Sequence, residues 1–337
     1  EFEIPLKTLR YNSKKDQTWG INFQRVISSN QEKAHWSQIT RQFTVNRLVS
    51  AGQLVGIEIP SSRSYKIIPY VLGQANAVSD SSDRNTNDSD LGLDAKINIG
   101  SSLTLDMTYN TDFAQAEADE QQINLDRFSL YFPEKRAFFL ENAGLFSIGE
   151  NTRRGSELSM FFSRRIGIGD DGQQIPIMAG GRLTGTFSNM RIGLLSMSTK
   201  SEEFSIFRVK KEMPNRTFFG AMATNMLNLN SDGYSNQVYA VDGQLGIGEL
   251  GQVDGFIATS STPDLDKDKA YSYRLSAARN GREIQTVISY TELGEAFNPE
   301  MGFLKRTGGY RKWSGRIFTR FRPENSMGVL EVRPHIN

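Results

Sequence analysis

The acids gathered between residues 112 and 141 are the first place to look for chemistry. Asp112, Glu117, Asp119, Asp126, Glu134 and Glu141 would be enough to supply the two carboxyl groups that flank the scissile bond in glycoside hydrolysis. Spacing along a chain does not establish such a pair, however. The same stretch carries Arg127, Lys135 and Arg136, and the basic pair Arg164 and Arg165 follows. Three readings therefore compete: a salt-bridge and hydrogen-bond network that holds the segment together, contacts to a ligand or ion, and a hydrolase site. The mixture of both charge signs with aromatics favours the network. Nucleophilic catalysis has thinner support, because serines are plentiful but no Gly-x-Ser-x-Gly elbow occurs. The two histidines, His35 and His335, stand outside any recognisable motif, and no catalytic residue is assigned.

Other candidate ligand sites weaken in the same way. The chain has no cysteine, which excludes disulfides and thiolate metal sites, and with two isolated histidines neither a bound metal nor a cofactor is expected. The run Ser79–Asp90 is rich in carboxylates but lacks the spaced pattern of a calcium loop, so a solvated linker is the better reading. Asp264, Asp266 and Asp268 read as a loop tip. Gly246, Gly248 and Gly251 satisfy the bare spacing of a nucleotide-binding fingerprint, but they lie between two β-patterned runs with no helix following, which reads as a hairpin turn. Trp19 and Trp36 have faces suited to sugar stacking, but Trp19 alternates with Ile21 and Phe23, which favours packing in a core. Lys and Arg number 39 against 38 Asp and Glu, for a formal charge of +1, so no basic field exists to attract nucleic acid.

The elements that must position these residues are strands. Leu91, Leu93, Ala95, Ile97 and Ile99 alternate with Gly92, Asp94, Lys96 and Asn98; after a short polar turn Leu103, Leu105, Met107 and Tyr109 alternate with Thr104, Asp106 and Thr108. This is a hairpin with one apolar and one charged face. The pattern recurs at residues 271–277 and 313–322. Further strands are expected near 18–27, 53–60, 63–73, 177–187, 190–199, 203–211, 216–227, 236–247, 252–260, 282–292 and 327–333. The adjacent pairs Leu194/Leu195 and Phe218/Phe219 break phase and suggest bulges. No run approaches the ~18–20 apolar residues of a membrane-spanning helix, whereas a barrel strand needs only ~9–11 residues with every second one facing lipid. A soluble β-sandwich or propeller satisfies the same alternation. Charges on the second face and Tyr and Trp near strand ends favour a membrane barrel.

Residues 111–155 interrupt the alternation. Between 111 and 150, Asp112, Glu117, Asp119, Glu120, Asp126, Glu134, Glu141 and Glu150 stand against Arg127, Lys135 and Arg136, an acidic excess. Phe128, Tyr131, Phe132, Phe138, Phe139, Leu140 and Phe146 need burial. Together these predict a folded plug whose acids seek lumenal cations, with Arg274, Arg316, Arg320 and Arg322 as the expected partners.

In this same stretch, Asp112-Phe113, Glu117-Ala118-Asp119, Ile123-Asn124-Leu125, Phe132-Pro133-Glu134-Lys135-Arg136 and Phe138-Phe139-Leu140-Glu141 resemble the core signature of a family of bacterial outer-membrane proteins that carries a domain of unknown function. Phe162-Ser163-Arg164-Arg165-Ile166-Gly167, Gly180-Gly181-Arg182-Leu183-Thr184-Gly185 and Phe297-Asn298-Pro299-Glu300-Met301-Gly302-Phe303 extend the likeness, which covers roughly 88–310. In that family a barrel follows a module similar to family 9 carbohydrate-binding domains. The resemblance implies fold and place in the Gram-negative outer membrane, and it brings no activity with it. The opening residues, including Trp19-Gly20-Ile21-Asn22-Phe23, are similar to the last strands of such a module. The resulting expectation divides the chain into 1–30 as the end of a carbohydrate-binding-like β module, 31–90 as strands and a polar linker, and 91–337 as the barrel, incomplete at its C-terminus and carrying the insert 111–155. The fold class is all-β, a transmembrane antiparallel barrel with a plug-like insert. The expected function is a gated or plugged channel or transport-related protein linked to glycan handling; the alternatives are a cell-envelope carbohydrate-active hydrolase and a non-transporting adhesion or assembly barrel. The expected partners are outer-membrane lipid and lipopolysaccharide, a glycan or other small molecule, and envelope proteins.

Overall fold

A computed structural model describes residues 3–4, 11, 16–58, 65–76, 86–100, 102–111, 128–152, 155–169, 175–231, 233–323 and 331–337. The fold is all-β, 60% strand and 6% helix, and no helix among the described residues is long and apolar enough to cross a membrane. Near the N-terminus, β1 (Asp16–Ile21), β2 (Gln24–Ile27), β3 (Glu32–His35) and β4 (Gly52–Glu58) form two small antiparallel pairs, β1 with β4 and β2 with β3. The strand expected over 18–27 is thus two strands, and the β2–β3 hairpin crosses the boundary expected at residue 30. Trp19 is half-buried, its Nε1 donating to Gln17 Oε1 at 2.8 Å, while Trp36 remains 61% exposed.

The large sheet begins at Tyr65, earlier than the alternation from residue 91 suggests. It opens with β5 (Tyr65–Asn76), β6 (Thr86–Ile99) and β7 (Leu103–Thr111). A connection then carries one helical turn (Ala137–Leu140), β8 (Gly149–Thr152) and β9 (Gly155–Ser159). The sheet resumes with β10 (Ile177–Phe187), β11 (Met190–Thr199), β12 (Glu202–Met213), β13 (Thr217–Asn228) and β14 (Ser235–Ile247). It continues with β15 (Gly251–Ser261), β16 (Tyr271–Asn280) and β17 (Ile284–Leu293). After β18 (Phe303–Leu304) come β19 (Tyr310–Thr319) and the short β20 (His335–Ile336). Thirteen strands are ordered β20-β19-β17-β16-β15-β14-β13-β12-β11-β10-β7-β6-β5, an antiparallel meander in which chain neighbours are sheet neighbours except where the two inserts intervene. Those inserts meet: β18 pairs with β9, completing a small β8-β9-β18 sheet.

The two ends of the meander differ. One carries short turns at 188–189, 214–216, 248–250 and 281–283 together with the long connection 320–334, and the other carries the two-residue turn 200–201 and the remaining longer connections, including both inserts. Ser188 and Asn189 both take positive φ, as a two-residue hairpin turn with the twist of the flanking strands requires. The Gly246–Gly251 motif spans the three-residue turn 248–250 that joins β14 to β15, with Gly248 at positive φ. The N-terminal strands lie against this end: Arg47 Nη2 donates to Glu249 O at 2.8 Å, and Asn280 Nδ2 to Gln42 O at 3.5 Å.

The bulges expected at Leu194/Leu195 and Phe218/Phe219 are absent, since β11, β12, β13 and β14 pair without a register shift. Both faces are simply apolar there. Leu195 is 3% exposed beneath the insert while Leu194, pointing the other way, is 42% exposed. Of the run expected at 327–333, residues 327–330 lie outside the described residues, and Val332 forms a single bridge to Phe321.

Candidate functional site

The inner face of the sheet is where polar chemistry collects. Period-two geometry places Lys96, Asp106, Arg182, Arg208, Asp242, Asp254, Arg274 and Lys312 on this one side, together with small hydroxyl-bearing residues. Asp106 faces Lys96 on one neighbouring strand and Arg182 on the other. Arg182 is 2% exposed and its Nη2 lies 2.7 Å from Asp106 Oδ2. Arg208, 1% exposed, meets Asp242 through two parallel bonds of 2.7 and 2.8 Å. Buried charges persist only where paired and hydrogen-bonded, and the two-pronged geometry is the strong form of such pairing.

These wall arginines also hold the insert. Arg182 Nη1 donates to the Phe138 carbonyl and, at 2.6 Å, to Glu141 O; Arg208 Nε donates to Leu145 O at 3.1 Å. Lysines take the insert's acids: Lys96 Nζ lies 2.6 Å from Glu141 Oε2, and Lys312 Nζ lies 2.9 Å from Glu150 Oε1. Thr291 Oγ1 adds a bond to Glu150 at 3.2 Å. Between these polar contacts Phe139, Leu145, Phe146, Ile148, Leu158 and Met160 pack against Leu195, Met197, Phe204, Ile206 and Met222, forming the hydrophobic core. Gly149 sits at positive φ where β8 approaches β9 so closely that a Cβ would come 2.0 Å from Leu158 O.

This bonding pattern fixes the shape of the sheet. Ten strand steps separate β6 from β19, which at ~4.8 Å each would be roughly 48 Å across a flat sheet. Yet Glu141 reaches Lys96 on β6 while Glu150, nine residues on, reaches Lys312 on β19. Nine residues of fully extended chain span at most ~32 Å, and side chains stand roughly perpendicular to a sheet, adding little sideways reach. The sheet is therefore curled around the insert.

Within the insert, Arg136 is the organising residue. Its guanidinium grips Glu134 through Nε and Nη2, both at 2.8 Å, and donates to Ile166 O and Ser163 O at 2.7 Å. Burial works to raise the Glu134 pKa, but the hydrogen bonds and charge of Arg136, with a 2.6 Å bond from Ser163 Oγ, outweigh it and hold the carboxyl below its usual range. The Phe162–Gly167 motif thus closes around the Pro133–Arg136 motif. Arg164 Nη1 donates to Pro133 O at 3.3 Å and Arg165 Nε to Gly302 O at 3.4 Å, while the Lys135 side chain is exposed. In the second insert Asn236, on β14, donates to Asn298 O at 2.8 Å and accepts from Glu300 N at 3.2 Å, seating the Phe297–Phe303 motif on the wall. Tyr234, just before β14, donates to Glu300 at 2.5 Å; this bond, with burial and the charge of Glu300, raises the phenol pKa to about 12.

Of the candidates named from sequence, Glu134, Arg136, Arg164 and Arg165 come together, and Glu141 joins the wall. Asp112, Glu117, Asp119, Asp126 and Arg127 lie outside the described residues. Three of the four cations expected to meet the insert's acids bond elsewhere: Arg274 pairs with Asp254 at 2.9 Å, and Arg320 and Arg322 lie 3.1 and 2.8 Å from Glu331. Arg316 packs over the Phe318 ring. The reason is position, since Arg320 and Arg322 follow the last residue of β19, at the tight-turn end, away from the insert. Sequence reasoning overlooked Arg208 and Asp242. Their signal was parity, because Arg208 shares a face with the apolar Phe204 and Ile206, where an unpaired charge would be intolerable.

The outer face carries the opposite character. Leu91, Tyr109, Val241, Ile257, Leu275 and Trp313 are between 52% and 72% exposed. At the long-connection end of this face Tyr271, Tyr273, Tyr290 and Trp313 form a chain of ring contacts, the closest at 4.7 Å between Tyr290 and Trp313. Three of their hydroxyls donate to Glu292, at 2.5–3.0 Å, and Arg311 Nε lies 3.1 Å from the same carboxylate.

Residues 63–178 contain a domain of unknown function (DUF5916). The match takes in β5 to β7 and the whole first insert, about a third of the chain. The motif pieces at 180–185 and 297–303 fall outside it. No curated protein matches the chain.

Proposed function

We propose that the chain forms the wall of an outer-membrane β-barrel whose bore is filled by its own inserts, a plugged channel. The observation that carries this reading is the reversed polarity of the large sheet. Its outer face presents aliphatic and aromatic side chains that no described residue covers, while charges and hydroxyls crowd the inside. In water such a surface is costly, since each apolar side chain left exposed forgoes ~1.5–3 kcal/mol of burial. In a bilayer the same surface is solvated by lipid tails, and an antiparallel sheet pairs its backbone internally, completely so once its edge strands β5 and β20 are closed or covered. The tyrosine and tryptophan chain then sits at the headgroup level, as aromatic girdles do. Apart from the connection 320–334, short turns gather at one end and most long connections, with both inserts, at the other, as at the periplasmic and extracellular ends of such barrels. On that orientation the N-terminal strands lie in the periplasm.

The test is fractionation with outer membranes together with gel migration of the folded protein before and after boiling. The expected result is a heat-modifiable band that requires detergent or lipid. A monodisperse, detergent-free protein with unchanged migration would overturn the reading.

A further inference from the structure

Two cavities flank the insert and share one residue. The first, about 220 Å³, lies between Ser147-Ile148-Gly149 and the inner wall at Asp242, Gln244, Gln252, Asp254 and Arg274. Its wall residues Phe218 and Gln252 stand just beyond the turns at 214–216 and 248–250, so it lies toward the tight-turn end. The second, about 250 Å³, is lined mainly by the insert, including Phe146, Ser147, Ser156, Ser159 and Phe161, and meets the wall at Arg182 and Leu195. Ser147 belongs to both linings and is itself exposed. Each cavity also holds a buried polar atom with no hydrogen-bond partner among the described residues: Arg274 Nε in the first and Ser156 Oγ in the second. A polar group buried without a partner costs ~1–3 kcal/mol, so such atoms mark places where something polar is received.

The electrostatics define what that is. Asp242 is matched by Arg208, Asp254 by Arg274, Glu134 by Arg136, and Arg182 by Asp106. Every ionised group named in the two linings thus has its counter-charge in the protein, and an ion entering would find none left for it. What remains are serine hydroxyls, glutamine amides and the faces of Phe146, Phe161 and Phe218.

From this we infer that a route for small neutral polyhydroxylated solutes runs between insert and wall, with Ser147 at its narrow point. This rests on the barrel reading above and goes beyond it by naming the path and the solute class.

The experiment is swelling of liposomes containing the full-length protein, with erythritol as the neutral probe and gluconate as the charged one. Heat-modifiable migration of the same proteoliposomes is scored in parallel. Erythritol is expected to enter several-fold faster than gluconate, and Ser147→Trp to cut erythritol entry several-fold without changing migration. Leu265→Trp, in the exposed connection between β15 and β16, should leave entry unchanged. Asp254→Asn, which strands the Arg274 charge, should raise gluconate entry relative to erythritol, and it tests the charge argument should Ser147→Trp fail to fold. Folded, inserted protein whose erythritol entry is insensitive to Ser147→Trp, whose gluconate-to-erythritol ratio is unchanged in Asp254→Asn, or that passes gluconate equally well, overturns the route while leaving the barrel standing. Absence of a heat-modifiable inserted form overturns both.

Discussion

Leu194 and Leu195 are neighbours in β11 and face opposite solvents. Leu195 is sealed beneath the insert among Met197, Phe204 and Ile206, while Leu194 looks outward from a face that no described residue covers. The same division holds along β12 to β15, where Ile206, Val238 and Ala258 are buried and Phe207, Tyr239 and Ile257 are exposed. The inside thus behaves as an ordinary protein interior built on a charged wall. The outside is an apolar surface waiting for an apolar solvent. The difference teaches that one strand can satisfy two environments at once, and that its residues should respond to substitution by rules belonging to different media.

The largest effect should come from the inner wall. Asp242→Ala leaves the Arg208 guanidinium buried with half its partners removed, and breaking a buried pair in this way costs ~3–5 kcal/mol. The measurement is the denaturant midpoint for refolding into detergent micelles. A second variant that also replaces Arg208 with Met should recover part of the loss, because removing both charges avoids the stranded one. If the single variant unfolds at the wild-type midpoint, the inner face is wetter than its burial implies.

Next comes the sharpest test of the comparison itself. Leu194→Arg should cost ~2–4 kcal/mol in a bilayer if the position lies near the midplane, whereas on a water-facing surface it would be nearly neutral. Leu195→Ala should cost ~2–5 kcal/mol in either medium, since it opens a cavity in a packed core. Parallel refolding into lipid and into a polar amphiphile separates the two: the Leu194 penalty should depend on the medium and the Leu195 penalty should not.

Why the strands were legible and the insert's anchorage was not follows from the same division. Where the inner face meets only polar groups, as in β6 and β7, alternation is clean and the hairpin 91–109 reads directly from sequence. Where the insert turns the inner face apolar, as at Leu195 and Phe218, period two disappears and the sequence mimics a bulge. The insert's anchors were hidden for a different reason. Arg182, Arg208 and Lys312 come from strands far apart in sequence, and they meet the insert only because the sheet curls. The choice of Lys96 and Lys312 over Arg320 and Arg322 depends on which end of the strand each occupies, which a list of charges does not reveal. Five of the eight acids between 111 and 150, Asp112 through Asp126, fall outside the described residues.

A smaller effect tests the insert's internal order. Glu134 has its folded pKa held below the ordinary value, so its contribution is fully present above the unfolded pKa of ~4.3 and is lost as pH falls through the folded pKa. Glu134→Gln should therefore destabilise the insert at pH 7, by ~1.5–3 kcal/mol for hydrogen bonds to a charged group. The gap from wild type should close under acid conditions, where the wild-type carboxyl is also neutral. Hydrogen exchange of the 160–166 amides across pH reads this directly. A gap that stays constant into acid would mean that the Arg136 pair contributes nothing charge-dependent.

The smallest effect is expected at Glu141, and it bears on how the insert is held. Its carboxylate meets Lys96 and lies 3.5 Å from Arg182 Nη2, but the Glu141 and Lys96 side chains are more than a third exposed, 40% and 37%, so solvent screens these charges and the Lys96 pair should be worth at most ~1 kcal/mol. The stronger tie at this residue is the backbone, because Glu141 O accepts from the buried Arg182, and that bond survives truncation of the side chain. Glu141→Ala should therefore leave membrane insertion and the denaturant midpoint almost unchanged, while loosening the helical turn Ala137–Leu140 against the β6 side of the wall. Single-channel recording in a planar bilayer is sensitive enough to detect this, as a rise in brief opening events with no change in their amplitude. Arg182→Lys, which keeps the charge but loses the fork that reaches both the carbonyls and Asp106, should raise opening further. If Glu141→Ala proves the more disruptive of the two, the insert hangs from its surface ion pair, and the inner wall serves as scaffold and not as clamp.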